Sequence, residues 1–235
     1  MIEFINLFIY ITKLIVSEFI QFYSNLSSAI KGSIIIFVIL TISTFWIGIK
    51  AKDLDPNKTP KGIMFISVLF VETVNNMIRP MFPKHFNKFA AFLMTLFLYL
   101  LFANTSSLFG LTAPLSSLNV AISMSIIVFG TIQVSAMIIK KPKRRMRDLM
   151  APNPVFLPLN LIGEITTPFS MGMRLFGNLL SGSILAILVY NFTSYFGVIA
   201  GAFVLHPIFD IFFGAIQAYV FFNLFTIFLS IAVED

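Results

Sequence analysis

Six side chains in the last third of the chain have the types and spacing to move charge through apolar surroundings: Glu164, Arg174, Asn178, His206, Asp210 and Gln217. Arg174 makes the strongest demand. Between Asp148 and Asp235 it is the one Lys or Arg, inside the run MGMRLFGNLLSG and flanked on both sides by apolar helix. An arginine at bilayer depth costs roughly 2.5–3.5 kcal/mol on insertion scales. A guanidinium does not release its proton in a protein, so Arg174 can serve as a fixed charge but not as a proton carrier.

The neighbours extend that pattern. Arg174 and Asn178 are four apart on one helical face, with Ser181 one turn further along it. Glu164 precedes Arg174 by ten residues, about 15 Å along a helix axis, and on another side. Asp210 and Gln217 are seven apart and share a face of the second helix, and His206 lies one turn before Asp210 on about the same side. Each residue also has a plainer role open to it. Arg174 and Asp210 can pair as a buried salt bridge, a poor source of stability for its desolvation cost. Asp210 alone can be a packing residue, and Glu164 can snorkel to the interface. His206, beside Pro207, can be interfacial, and His85 lies in a basic loop where it is simply solvated. Asn178 and Gln217 can be interhelical hydrogen bonds, on the order of 0.6 kcal/mol each.

The elements that must position these residues follow from composition. The 235 residues are 58% hydrophobic and only 11% charged, against about 25% charged in soluble domains. The expected fold class is therefore an all-α integral membrane protein. Residues 1–32 form an N-terminal amphipathic segment, with Glu3, Asn6, Tyr10, Lys13, Ser17, Gln21 and Ser24 along one face. Residues 33–150 hold the first membrane helices: Ser33–Ile49, an interfacial amphipathic stretch Ile63–Arg79, then Phe89–Gly110 and Asn119–Ile139. Residues 151–235 hold two longer apolar stretches, Val155–Tyr190 and Ile199–Val233, which overrun an upright crossing. Pro158, Pro168 and Pro207 permit kinks. The two stretches are read as a steeply tilted helical hairpin that turns at NFTSYFG (residues 191–197), giving about five crossings in all.

Basic loops set the orientation. Lys50–Lys61 holds four lysines, Arg79–Lys88 three basic residues and Lys140–Arg147 six, while the loops at 110–118 and 191–198 hold none. The positive-inside rule assigns the basic loops to the cytoplasm or matrix, with the N-terminus outside and Glu234 and Asp235 inside. The net charge of +6 lies in these loops and is not a nucleic-acid signature. With no cysteine, thiol chemistry and thiolate metal sites are excluded. No cleaved signal peptide is expected, since a basic n-region and a cleavage site are missing.

No phosphate loop, no His pair at metal spacing and no nucleophile–base set accompanies the hairpin, so neither cofactor nor metal is expected and no catalytic centre on this chain. Ionisable and amide side chains strung along two tilted helices have the form of an ion pathway. A secondary transporter or channel using Arg174 for an anionic substrate is the alternative; it calls for matching repeats and broken helices in two halves, and the two halves here differ in span length and composition.

The string PFSMGMRLFGNLLSG resembles the hallmark of subunit a of F-type ATP synthases, and IFFGAIQAYVFFNLFTIFLSIAVED is similar to that family's last helix. LFANTSSLFG and SSLNVAISMSIIVFG are similar to its third and fourth helices, so the likeness covers about residues 60–235. The resemblance implies a stator subunit that offers two ion half-channels to a rotating c-subunit ring and couples proton or sodium translocation to ATP synthesis. Its partners would be that ring, the peripheral-stalk b subunits and the remaining complex, within a lipid bilayer: a bacterial plasma membrane by preference, a mitochondrial inner membrane as the other setting. By position, Arg174 corresponds to the family's essential arginine, Asn178 to the asparagine four later and Gln217 to the last-helix glutamine. Asp210 falls where the family commonly has Glu or His. Ser183 stands where many members have an ionisable residue, which makes His206 a candidate substitute. Glu164 matches a carboxylate that many members place on the inner side before the arginine.

Overall fold

The computed structural model describes residues 23–52, 60–109, 111–140, 142–150, 153–200 and 207–234. Within them the regular structure is helical: α1 (Ser28–Ala51), α2 (Ile63–Ile78), α3 (Phe86–Thr105), α4 (Leu118–Lys140), α5 (Pro142–Leu149), α6 (Leu157–Ala200) and α7 (Gly214–Val233). Short 3-10 turns at Ser106–Phe109, Pro114–Ser116 and Pro154–Phe156 join some of them, and a π-helical segment, Pro207–Phe213, leads into α7. Five of the helices are long and apolar enough to cross a membrane. In hydrocarbon every backbone N–H and C=O must be satisfied within the segment, which is why such a composition folds as helices.

The centre of the bundle is built by α3, α4 and α7. On α4 the buried residues Ala121, Met124, Ser125, Val128, Ile132 and Ala136 recur at three- and four-residue steps, a single stripe. That stripe packs against both α6 and α7, while α3 packs along α7. Leu93, Leu96 and Leu100 of α3 meet Phe221, Phe222, Phe225 and Leu229 of α7 in one apolar cluster. By contrast, α1 leaves Phe37, Phe45 and Trp46 exposed, as a lipid-facing helix does. At 16 residues α2 is too short to cross; it buries Met64, Val74 and Ile78 and exposes Glu72 and Asn76, in keeping with an interfacial helix.

Several boundaries differ from those expected. The first crossing starts at Ser28 rather than Ser33; nothing between Ser27 and Gly32 breaks a helix, and the Lys31 ammonium donates to the Ser24 carbonyl at 2.9 Å. The supposed turn at residues 191–197 is helical, because α6 runs on to Ala200. A lone Gly197 costs a helix about 1 kcal/mol, less than unpaired backbone costs in an apolar medium. The second stretch of the hairpin is not one helix from Ile199 either: residues 199–200 end α6, and the described chain resumes in the π segment at Pro207. Pro158 lies in the first turn of α6, where a missing N–H is harmless, and Pro168 stands inside the helix. Most of the N-terminal amphipathic segment, residues 1–22, lies outside the described residues.

One end of the bundle joins the loop before α3 to the ends of α4 and α7. His85 at the start of α3 holds Glu234 after α7, through its backbone N–H at 3.2 Å and its ring Nδ1 at 3.0 Å. The Lys140 ammonium at the end of α4 donates to the Ile231 carbonyl at 3.4 Å, and the Ser230 hydroxyl to the Met81 carbonyl. The end expected to face the cytoplasm is thus one physical surface.

Candidate functional site

Arg174 sits well inside α6, whose 44 residues reach roughly 66 Å at 1.5 Å per residue. Two residues earlier Gly172 is buried against α4. A Cβ there would come within 2.6 Å of the Ala121 carbonyl and collide with the Ser125 hydroxyl, so only glycine lets the two helices approach this closely. Met171 and Leu175, 2% and 0% exposed, anchor the same turn in the core. That packing fixes the rotation of α6 and turns Arg174 away from the bundle: its side chain is exposed, and among the described residues it has neither hydrogen bond nor ion pair.

One turn beyond, Asn178 donates from its side-chain amide to Gln217 Oε1 on α7 at 2.7 Å. Gln217 is 6% exposed, so the bond satisfies a buried amide while linking the two helices of the hairpin. Two of the expected site residues are thereby brought together beside Arg174. Ser183 is exposed and spends its hydroxyl on the Leu180 carbonyl of its own helix at 2.8 Å.

The Asp210 backbone belongs to the π segment, and its side chain is outside the described set. A π turn closes i→i+5 bonds and so advances less per residue than an α turn. The regular α-helical spacing on which the expected shared face of Asp210 and Gln217 rests is interrupted in this segment. His206 lies outside the described residues. Against the π segment and the start of α7 stands Asn104, at the end of α3. It is 1% exposed, yet among the described residues neither atom of its amide has a protein partner, and the buried Ser107 hydroxyl three residues on likewise has none. Gly214 packs closely here: a Cβ there would lie 3.2 Å from the Asn104 carbonyl, a tight contact.

At the basic end Glu164 is fully engaged. Its Oε1 accepts from Arg145 Nη2 of α5 at 2.6 Å, and its Oε2 accepts from Gln133 Nε2 of α4 at 2.6 Å. Arg145 Nη2 also reaches Gln133 Oε1 at 3.4 Å. The three line a cavity of about 340 Å³ with Asn160, Gly163, Thr167 and Pro168. Pro168 has no N–H to give the carbonyl four residues earlier, which is that of Glu164, so the usual α-helical bond to that carbonyl is missing beside the carboxylate.

Sequence reasoning named Glu164 but missed Arg145 and Gln133, and it quoted the LFANTSSLFG stretch without singling out Asn104. Arg145 is one of several basic residues in its run, and nothing in the spacing marks which one turns inward. Asn104 did carry a signal: it is an amide within an apolar span.

The chain matches known proteins over most of its length. The family model described as ATP synthase A chain matches residues 32–230. A protein of Nitrosospira multiformis called ATP synthase subunit a is 31% identical over 169 residues, 71% of this chain and 65% of that protein. The ATP synthase subunit a 1 of Crocosphaera subtropica is 30% identical over 200 residues, 84% of this chain and 83% of its own. The ATP synthase subunit a 2 of a Bradyrhizobium strain is 32% identical over 177 residues, covering 74% and 76%.

Proposed function

The chain belongs to the ATP synthase A chain family, and from that premise we propose that Arg174 separates two ion half-channels that serve a rotating ring of c subunits. The protein is a multi-pass membrane subunit that couples ion translocation to ATP synthesis in the F-type complex. It works beside the ring, the peripheral-stalk b subunits and the rest of the complex, and the nucleotide chemistry takes place on other chains.

The observation that carries this reading is the bare guanidinium. A permanent cation in a long apolar helix, turned outward and without an ion pair among the described residues, calls for an anionic partner from another molecule. A carboxylate on each ring subunit would meet that need. An ion entering from outside, along a path near Asp210 and His206, neutralises such a carboxylate, which then crosses lipid without the penalty of a buried charge. After nearly a full turn it releases the ion inward, along a path near Glu164. Ionised, it passes Arg174, which compensates its charge and repels cations that would otherwise leak straight through. Asn178 and Gln217 hold the hairpin in register beside it. The unpartnered amide of Asn104 supports a hydrated outer route, since buried polar groups without protein partners are where ordered water resides. The cavity that the Glu164 carboxylate lines supports the inner one.

The potential contributes about 2.3 kcal/mol per charge per 100 mV, so several ions pass for each nucleotide made. The test is ATP-driven ion uptake by vesicles that carry the whole complex, with and without sodium and an uncoupler. Uptake that this chain's Arg174→Ala variant loses supports the reading; uptake that survives the substitution contradicts it.

A further inference from the structure

We propose that Arg145 is a positioning residue of the inner exit: with Gln133 it holds Glu164 at the cavity wall, and it offsets the carboxylate charge so that a departing cation is passed on instead of trapped. The inference rests on the reading of Glu164 as lining the inner route.

Conduction through a narrow site needs binding strong enough for entry and weak enough for exit. An uncompensated carboxylate in a partly enclosed cavity is a cation trap. The geometry removes the trap. Each Glu164 oxygen already has a donor at 2.6 Å, and the Arg145 side chain is only 11% exposed, so its charge acts on the cavity and not on bulk water. Arg147, two residues on, is exposed. Of these two arginines in the basic helix, Arg145 is the one turned inward, and Gln133 fixes the carboxylate from the opposite side.

A purely structural role, tying α5 to α6, is the competing explanation, and charge separates the two. The chain has no cysteine, so Thr167→Cys places one thiol on the cavity wall. Its rates of modification by a cationic and an anionic thiol reagent are read on this subunit within the assembled complex in vesicles. Arg145→Gln raises the cationic-to-anionic ratio on the order of fivefold, the size of one partly exposed ion pair; Glu164→Gln lowers it, and the double variant returns toward the parent. In the same vesicles Arg145→Gln slows ATP synthesis several-fold, Arg145→Lys slows it less, and Arg145→Gln with Glu164→Gln is faster than Arg145→Gln alone. An unchanged reagent ratio in Arg145→Gln, or a double variant as slow as the single, overturns the inference. If Arg145→Gln does not assemble, assembly of the double variant supports charge compensation and its failure overturns it. If Glu164→Gln alone alters neither the ratio nor synthesis, the inner-route reading falls and takes this inference with it. A slow Glu164→Gln beside an unaffected Arg145→Gln sinks the inference alone.

Discussion

Arg145 and Arg174 stand at two stations of one proposed route, and the fold treats them in opposite ways. Arg145 finds its counterion within the chain, at 2.6 Å on Glu164. Arg174 faces outward, with no ion pair among the described residues. The same residue type thus marks two different boundaries. Where the partner must stay, the chain supplies it. Where, on the proposed route, the partner must come and go, the described residues supply the charge alone and leave the other half to a neighbour. A guanidinium desolvated without a counterion is costly, and with none among the described residues the proposed reading takes the counterion from the assembly.

The largest effect that could break this contrast comes from Arg174→Ala. ATP-driven pumping falls to background while nucleotide hydrolysis by the detached catalytic head is unchanged, measured as vesicle uptake beside phosphate release. Asp210→Asn comes next, slowing translocation on the order of a hundredfold, the usual cost of losing a proton-handling group; an unchanged rate would return Asp210 to a packing role. Arg174→Lys recovers part of the pumping and not all of it, because an ammonium lacks the planar fork that can follow a moving carboxylate. Gly172→Val acts on placement instead of charge. Its side chain meets Ser125 and the Ala121 carbonyl, and overpacking of this kind costs about 1–3 kcal/mol, read as a lower unfolding midpoint of the assembled subunit. The smallest effect is the coupling between Asn178→Ala and Gln217→Ala, about 0.6 kcal/mol in a double-mutant cycle.

The sequence conveyed the crossings better than the contacts. Spans are legible because length and apolarity in one stretch are enough to define them, and α4 matched to within a residue at each end. The hairpin turn was misjudged because polar, turn-forming residues such as Asn191 and Ser194 lose their force where an apolar medium favours unbroken helix. The π segment before Gly214 carries no periodic signature that would reveal it. Arg174, Asn178 and Gln217 were legible as a set, since a cation and two amides stand out in apolar helix. The clasp on Glu164 was not, because it joins α4, α5 and α6 through a chain reversal that no spacing encodes.

The central claim, that a rotor carboxylate passes directly in front of Arg174, is tested by disulfide formation across that face. Asn178→Cys puts a thiol one turn from Arg174 in a chain otherwise free of cysteine, and a second cysteine is placed one turn from the ring carboxylate. A disulfide requires Cα atoms within about 7 Å. Rapid cross-linking that stops ATP-driven pumping, and its reversal by reductant, is the predicted result. Failure to cross-link from Asn178→Cys in an active complex, while a cysteine on the exposed face of α1 reaches the ring, would contradict it.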